Sequence, residues 1–127
     1  MNEHKVPCTI HLVDDDSISL LYLFDHLSAA GFRVAASSST LDALEAISRG
    51  KPEIVVCNAE MPDLGGLDLL DRILSLSPRT MVLLMGSDET LQEREDARRR
   101  GALDYLLKPC RAQTVIQAVE RILEGVH

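Results

Sequence analysis

The segment Ile54-Val55-Val56-Cys57-Asn58-Ala59-Glu60-Met61-Pro62 decides the fold of this chain. Its first four residues are apolar without alternation, which is typical of a strand buried on both faces. Polar residues follow at once, and a turn rich in proline and glycine continues to Gly66. We therefore predict a central strand of a parallel sheet, followed at its carboxyl end by polar residues.

The same alternation of a short apolar run and a longer amphipathic run extends in both directions from this segment. The predicted strands are Thr9–Val13, Phe32–Ala36, Ile54–Cys57, Thr80–Met85 and Leu103–Leu107, and the predicted helices are Ser17–Ala30, Thr40–Arg49, Leu67–Leu76, Glu89–Arg100 and Arg111–Glu124. Five such units predict an α/β fold, a parallel sheet with helices on both faces. We expect a single domain over residues 1–127, with its core at about 9–123, because the length leaves no room for a second.

Helical spacing of apolar residues indicates which side of a helix is buried. In the first helix the residues with this spacing are Ile18, Leu21, Tyr22 and Leu27. The fourth helix is polar and has only Leu91 and Ala97 to bury, so we expect it to be held weakly on the sheet. It is either a bistable element for switching or a solvated helix with no regulatory role.

The composition argues against several classes of function. The net charge is -7, whereas direct binding of nucleic acid needs a basic face. The run Arg98-Arg99-Arg100 is interpreted as a solvated helix end, which the helix dipole favours. No apolar run reaches the ~20 residues of a membrane span, and no basic and apolar leader is present. The expected location is the cytoplasm.

The cysteines and histidines do not predict a metal site. Cys8, Cys57 and Cys110 are far apart in the sequence, and the four histidines lack the spacing of a zinc site. We expect reduced thiols, as in a cytosolic protein.

Polar residues follow four of the predicted strands, at the edge where such sheets bind ligands. These groups are Asp14-Asp15-Asp16, Asn58-Ala59-Glu60, Gly86-Ser87 and Lys108-Pro109. Adjacent carboxylates repel each other, and a hard cation such as Mg²⁺ would relieve the repulsion. A lysine across the site could hold a further anion, so the set predicts a phosphoryl site in outline. Taken singly, Asp16 could merely cap the first helix and Lys108 could be an ordinary surface residue.

Four segments resemble the signature segments of response-regulator receiver domains, the CheY-like modules of two-component phosphorelay signalling. They are Val13-Asp14-Asp15-Asp16, Val55-Val56-Cys57-Asn58-Ala59-Glu60-Met61-Pro62, Gly66-Leu67-Asp68-Leu69-Leu70 and Gly101-Ala102-Leu103-Asp104-Tyr105-Leu106-Leu107-Lys108-Pro109. Their order and separations are those of the family, and the resemblance runs from about Thr9 to Leu123. It implies a flavodoxin-like (βα)5 fold with strand order 2-1-3-4-5.

The resemblance also implies roles for individual residues. Asp14 and Asp15 match the acidic pair that holds Mg²⁺, and the backbone carbonyl of Glu60 matches a further ligand of the metal. Lys108 matches the lysine that contacts the phosphoryl group, and its bond to Pro109 is usually cis in the family.

Two residues depart from the family's pattern. Asn58 stands in place of the phosphoacceptor aspartate, and an amide is a far poorer nucleophile than a carboxylate because attack would cost it amide resonance. Gly86 stands where a threonine or serine normally hydrogen-bonds the phosphoryl group, with Ser87 one position later. Tyr105 matches the aromatic residue that changes rotamer on activation, so Gly86, Ser87 and Tyr105 are the expected switch positions.

We therefore expect a receiver that accepts no phosphoryl group as written. It should bind Mg²⁺ only weakly, because the amide removes one negative charge, and it should have less repulsion among its buried carboxylates. Asn58 is either a natural divergence or a deliberate substitution. The intact acidic pair and Lys108 favour substitution, whereas the second departure at Gly86 favours divergence.

Such a domain would signal by protein–protein contact and not as an enzyme. The expected partners are a histidine kinase or phosphotransfer protein and an output domain or effector protein. A homodimer through the fourth helix, fifth strand and fifth helix is a further option that the resemblance offers.

Two other classes of function compete with this interpretation. In a Mg²⁺-dependent phosphatase-like enzyme, Asp14 and Asp16 would have the required spacing, but Ile18 stands where a hydroxyl-bearing residue is expected. A nucleotide- or flavin-binding module would need a glycine-rich or hydroxyl-rich phosphate loop after the first strand. Three aspartates stand there instead.

Overall fold

The fold is seen in a computed structural model that describes residues 8–87 and 91–125. The strands are β1 (Thr9–Val13), β2 (Arg33–Ser37), β3 (Ile54–Asn58), β4 (Met81–Gly86) and β5 (Asp104–Leu107), and the helices are α1 (Ser17–Ala29), α2 (Thr40–Gly50), α3 (Gly66–Leu76), α4 (Leu91–Arg99) and α5 (Ala112–Leu123). All strand pairs are parallel, and the sheet has the order β2-β1-β3-β4-β5. This confirms the predicted flavodoxin-like (βα)5 fold.

The central strand β3 has a hydrophobic core on each of its faces. Val55 and Cys57 belong to the core formed with α2, α3 and α4, whereas Ile54 and Val56 belong to the core formed with α1 and α5. All four side chains are fully buried. The unbroken apolar run therefore arises because successive side chains point to opposite faces that are both covered.

The bounds of four strands differ by one residue from those predicted, and β5 is the simplest case, since it begins at Asp104 and not at Leu103. β3 continues through Asn58, which pairs with Met85, and β4 continues through Gly86, which pairs with Leu107. Asn58 is polar and Gly86 has no side chain, so the apolar pattern did not predict that backbone pairing continues through them. β2 begins after Phe32, because the backbone N–H of Phe32 still closes the end of α1 on Leu27.

The predicted buried face of α1 was wrong in part. The helix buries Leu23 and Leu27, whereas Ile18 and Leu21 are 80% and 62% exposed. Apolar residues occur on nearly every side of this helix, so their spacing does not select one face. Packing against the sheet and α5 determines which face of the helix is buried.

Helix α4 is attached mainly by polar contacts. Its buried residue is Ala97, and the expected burial of Leu91 was wrong, since that side chain is 63% exposed. Arg98 pairs with Asp104 of β5 at 3.5 Å. Arg100, just after the helix, pairs with Asp71 of α3 at 3.0 Å. The predicted helix start at Glu89 lies outside the described residues.

A buried histidine lies on β1 away from the strand ends. The Nε2 atom of His11 is 2.7 Å from the hydroxyl oxygen of Ser37, and burial lowers the pKa of the imidazole. None of the helices within residues 8–87 and 91–125 has the length and apolar character that a bilayer crossing requires.

Candidate functional site

The carboxyl ends of β1, β3, β4 and β5 bring the predicted polar groups to one edge of the sheet. Asp14 follows β1, Asn58 ends β3, Gly86 ends β4 and Lys108 follows β5. Backbone hydrogen bonds tie these ends together, from Lys108 N–H to the Gly86 carbonyl at 2.9 Å and from Ala59 N–H to the Met85 carbonyl at 2.7 Å. The site is thus set by the sheet itself, and the Lys108–Pro109 bond is cis.

Asn58 lies at the centre of this edge and is only 3% exposed. Its Oδ1 atom accepts hydrogen bonds from Lys108 Nζ at 2.6 Å and from the Glu60 backbone N–H at 3.1 Å. Both partners can only donate, so the orientation of the amide is fixed by its neighbours. The carboxamide oxygen therefore carries a positively charged and a neutral donor together.

The nitrogen of the same carboxamide faces two carboxylates. Asn58 Nδ2 donates to Asp15 Oδ1 at 3.0 Å and to Asp14 Oδ1 at 3.4 Å. Burial raises the pKa of Asp14, and the neighbouring aspartates add to the rise, while a hydrogen bond from the Asp16 backbone and the charge of Lys108 oppose it. The amide N–H groups thus supply part of the positive field that the acidic pair requires.

Asp16 has the structural role of a helix cap. It is the N-cap of α1, and its carboxylate accepts hydrogen bonds from the Ile18 backbone N–H at 3.0 Å and the Ser19 hydroxyl at 3.1 Å. These bonds lower the pKa of Asp16. The Asp16 carboxylate is therefore committed to the start of the helix, while its backbone N–H donates to Asp14 Oδ1 at 3.0 Å.

The carboxylate of Glu60 is a part of the site that sequence reasoning missed. It lies 3.8 Å from Lys108 Nζ and accepts a hydrogen bond from the Ser87 hydroxyl. The resemblance pointed only to the backbone carbonyl of this residue. Ser87 is exposed, and its described hydrogen bond goes to Glu60 and not to Asn58.

Tyr105 is buried beneath Gly86. Its side chain is 2% exposed, and its hydroxyl donates to Glu93 Oε2 of α4 at 2.6 Å. A Cβ atom at residue 86 would lie 2.8 Å from the Tyr105 Cζ atom and 3.1 Å from the Ala59 Cβ atom, and closer still to the phenol oxygen. The phenol thus fills the space that a threonine or serine at residue 86 would need.

The chemistry of the acidic pair fits Mg²⁺ only partly. Carboxylate and carbonyl oxygens are the ligands that Mg²⁺ prefers. However, the Asn58 amide nitrogen donates to both carboxylates and so competes for the same oxygens. Among residues 8–87 and 91–125, no group of three or more His, Cys, Asp or Glu residues is arranged to hold a metal.

A cavity of about 380 Å³ opens beside the network. Asp14, Lys108 and Cys110 line it on the side of the strand ends, and Tyr22 lines it on the side of α1. The Tyr22 hydroxyl accepts a hydrogen bond from the Ala112 backbone N–H at 2.8 Å, which joins α1 to α5 at the cavity wall. Solvent therefore reaches two of the residues that contact Asn58.

Comparisons with known proteins agree with this geometry. A family model described as "Response regulator receiver domain" matches residues 10–120. The chain is 30% identical over 117 residues to the DNA-binding transcriptional regulator NtrC of Azospirillum brasilense, covering 92% of this chain and 24% of that protein. It is 31% identical over 118 residues to the transcriptional regulatory protein ZraR of Escherichia coli (strain K12), covering 93% of this chain and 27% of that protein.

The likeness extends to solved structures. A response regulator receiver domain protein from Clostridium thermocellum superposes with a TM-score of 0.86 at 27% identity, covering 93% of this chain and 95% of that one. The chain spans about a quarter of the length of the two curated relatives.

Proposed function

This chain belongs to the response-regulator receiver domain family, and on that premise we propose that it is a receiver that takes up no phosphoryl group while Asn58 keeps its amide. The observation that supports the proposal is the hydrogen bonding of the Asn58 carboxamide. Its oxygen is held by Lys108 and the Glu60 N–H, and its nitrogen by Asp14 and Asp15. Aspartyl phosphate forms on a carboxylate oxygen, which an amide does not offer.

Receiver domains normally bind Mg²⁺ at their acidic site, and we propose that this chain binds it weakly. Asp14 and Asp15 would hold the ion with the Glu60 backbone carbonyl, and the bound ion would supply positive charge to the oxygens of a phosphoryl group. Weak binding is supported by the competing amide nitrogen of Asn58, which donates a hydrogen bond to one oxygen of each carboxylate.

We further propose that α4 keeps a single conformation during signalling. The space under residue 86 is filled by the Tyr105 phenol, which is bonded to Glu93 of α4. A glycine at residue 86 has no side chain with which to bind a phosphoryl group and displace the phenol. The switch positions Gly86, Ser87 and Tyr105 would therefore not respond to the state of residue 58.

The surface of α4, β5 and α5 is the proposed contact for partners. The apolar side chains Leu91, Leu107 and Leu123 of these elements are exposed, and the last turn of α4 carries Arg98 and Arg99. We propose that an output domain or effector protein, or a second copy of the chain, binds here, and that a histidine kinase or phosphotransfer protein is a partner upstream. The net charge of -7 argues against direct contact with nucleic acid.

A purely signalling role is preferred over a phosphatase-like enzyme. The phosphatase interpretation needs Asp16 as a free acid close to Asp14. The Asp16 carboxylate is instead engaged by the Ile18 N–H and the Ser19 hydroxyl at the start of α1.

The test compares amide NMR spectra of the parent and Asn58→Asp before and after addition of Mg²⁺ with beryllofluoride, which mimics a phosphoryl group. We expect shifts around Asp15 and Lys108 in Asn58→Asp and none in the parent. A parent that responds equally would overturn the proposal. If neither protein responds, the loss extends beyond residue 58, and Asn58→Asp combined with Gly86→Thr becomes the informative variant.

A further inference from the structure

We propose that Asn58 is a site of self-modification, at which the folded domain hydrolyses the side-chain amide to a carboxylate. The inference rests on the arrangement of donors and acceptors around one carbon atom, Cγ of Asn58. Hydrolysis itself does not depend on the function proposed above. Its consequence, an aspartate at the phosphoacceptor position, rests on that function.

The carboxamide oxygen lies where a developing negative charge would be stabilised. Lys108 Nζ and the Glu60 backbone N–H already point at Oδ1, at 2.6 and 3.1 Å. When water adds to Cγ, the oxygen becomes an oxyanion, and fixed donors of this kind stabilise it without rearrangement. Lys108 thereby has a catalytic role, because it touches the reacting group directly.

The nitrogen lies where its protonation, which must precede its departure as ammonia, would be favoured. Asn58 Nδ2 is 3.0 Å from Asp15 Oδ1 and 3.4 Å from Asp14 Oδ1. The oxygen of water bonds to Cγ, the bond from Cγ to Nδ2 breaks, and one proton of the water passes to the departing nitrogen. The new carboxylic acid releases the second proton to ammonia, so the products are an aspartate carboxylate at residue 58 and one ammonium ion.

The water comes from solvent by way of the cavity beside the network. Asp14 and Lys108 line that cavity of about 380 Å³, and both contact the Asn58 side chain. Asn58 and Asp14 are each only 3% exposed, whereas Asp15 is exposed and the Lys108 side chain is 30% exposed, so water can approach the network from the side of these two residues.

The usual backbone route of asparagine deamidation is closed in the folded chain. That route needs the nitrogen of the next residue to attack Cγ and gives a cyclic imide, which opens to a mixture of aspartate and isoaspartate. Here the Ala59 N–H is bonded to the Met85 carbonyl at 2.7 Å, within the pairing of β3 and β4. Direct hydrolysis in the folded state would therefore give aspartate alone.

The experiment incubates the purified full chain in water labelled with oxygen-18, in the presence of a chelator, and follows residue 58 by peptide mass spectrometry. Asn2 is the other asparagine of the chain, and its rate of deamidation serves as an internal reference. We expect label in residue 58 and no isoaspartate there by the time half of Asn2 has converted. A chain unfolded in urea should give isoaspartate at residue 58.

Variants test whether Lys108 promotes hydrolysis of the Asn58 amide. Lys108→Met should slow the conversion roughly 100-fold, the effect of removing one donor from an oxyanion site. Arg49→Met is the matched control, because Arg49 is an exposed cation that pairs with Glu45 on α2 and should leave the rate unchanged.

Three outcomes would overturn the proposal. They are an intact Asn58 after Asn2 has converted, isoaspartate formed at residue 58 in the folded chain, and loss of ammonia with Lys108 cross-linked to residue 58. Each leaves the beryllofluoride comparison unaffected, because that comparison uses Asn58→Asp made by mutation and parent protein whose residue 58 is verified to be asparagine by mass spectrometry. A failure of one proposal is therefore distinguishable from a failure of the other.

Discussion

The Tyr105 phenol occupies the volume that any side chain at Gly86 would require. A Cβ atom at residue 86 would lie 2.8 Å from Tyr105 Cζ, well inside van der Waals contact. Alanine is normally better than glycine in a strand by roughly 0.5–1 kcal/mol. We expect Gly86→Ala to lower the free energy of unfolding instead, by about 1–3 kcal/mol, because the clash outweighs that gain. Urea unfolding measures the change.

A double-mutant cycle checks the cause. In a Tyr105→Leu background the phenol is absent, so Gly86→Ala should become neutral or stabilising. Equal destabilisation by Gly86→Ala in both backgrounds would mean that the contact with Tyr105 is not responsible.

The bond from Tyr105 to Glu93 should control the local stability of α4. Tyr105→Phe removes the hydroxyl that donates to Glu93 Oε2 at 2.6 Å and leaves the ring in place. Ala97 is the buried residue of this helix, so little apolar burial compensates the loss. We expect faster hydrogen exchange of the α4 amides, while the amides of α1 and α5 exchange as before. A uniform increase would indicate global destabilisation and contradict a local role.

Restoring a carboxylate at residue 58 should destabilise the metal-free fold. Asn58→Asp replaces the N–H groups that face Asp14 and Asp15 by a third negative charge, at a cost of roughly 1–3 kcal/mol in the free energy of unfolding. Mg²⁺ should recover this loss in the variant and have little effect on the parent. Thermal unfolding with and without Mg²⁺ tests both statements. A variant with a higher melting temperature than the parent in a chelator would contradict them.

Buried His11 should make the fold less stable in mild acid. Burial lowers the pKa of the folded imidazole below the ordinary value of 6.5, so the unfolded chain binds a proton first as the pH falls. The stabilisation is therefore complete above pH 6.5 and declines as the pH falls from there toward the folded pKa. Comparing unfolding of the parent and His11→Gln on both sides of pH 6.5 isolates the effect. An unchanged slope in the variant would mean that other groups cause it.

The central strand and the site edge could be predicted from sequence because each depends on one simple rule. An unbroken apolar run such as Ile54–Cys57 fits a strand covered on both faces, and parallel strands end at a common edge. That rule alone predicts that Asp14, Asn58 and Lys108 lie together.

The parts that sequence could not predict depend on side-chain directions. The roles of Glu60 between Lys108 and Ser87, and of Tyr105 beneath Gly86, follow from rotamers that residue spacing does not encode. The buried face of α1 was ambiguous for a different reason. Its apolar residues surround the helix, so only packing decides that Leu23 is buried and Ile18 is exposed.

The attachment of α4 through exposed ion pairs makes the proposed contact surface sensitive to ionic strength. Arg98 and Arg100 reach Asp104 and Asp71 across solvent-accessible space. Dissolved ions screen such pairs over a distance of ~8 Å at physiological concentration and over less in stronger salt. A rise in the surrounding salt concentration would therefore weaken these two pairs, each worth about 0–1 kcal/mol, and leave α4 held mainly by Ala97 and by the Tyr105 bond to Glu93.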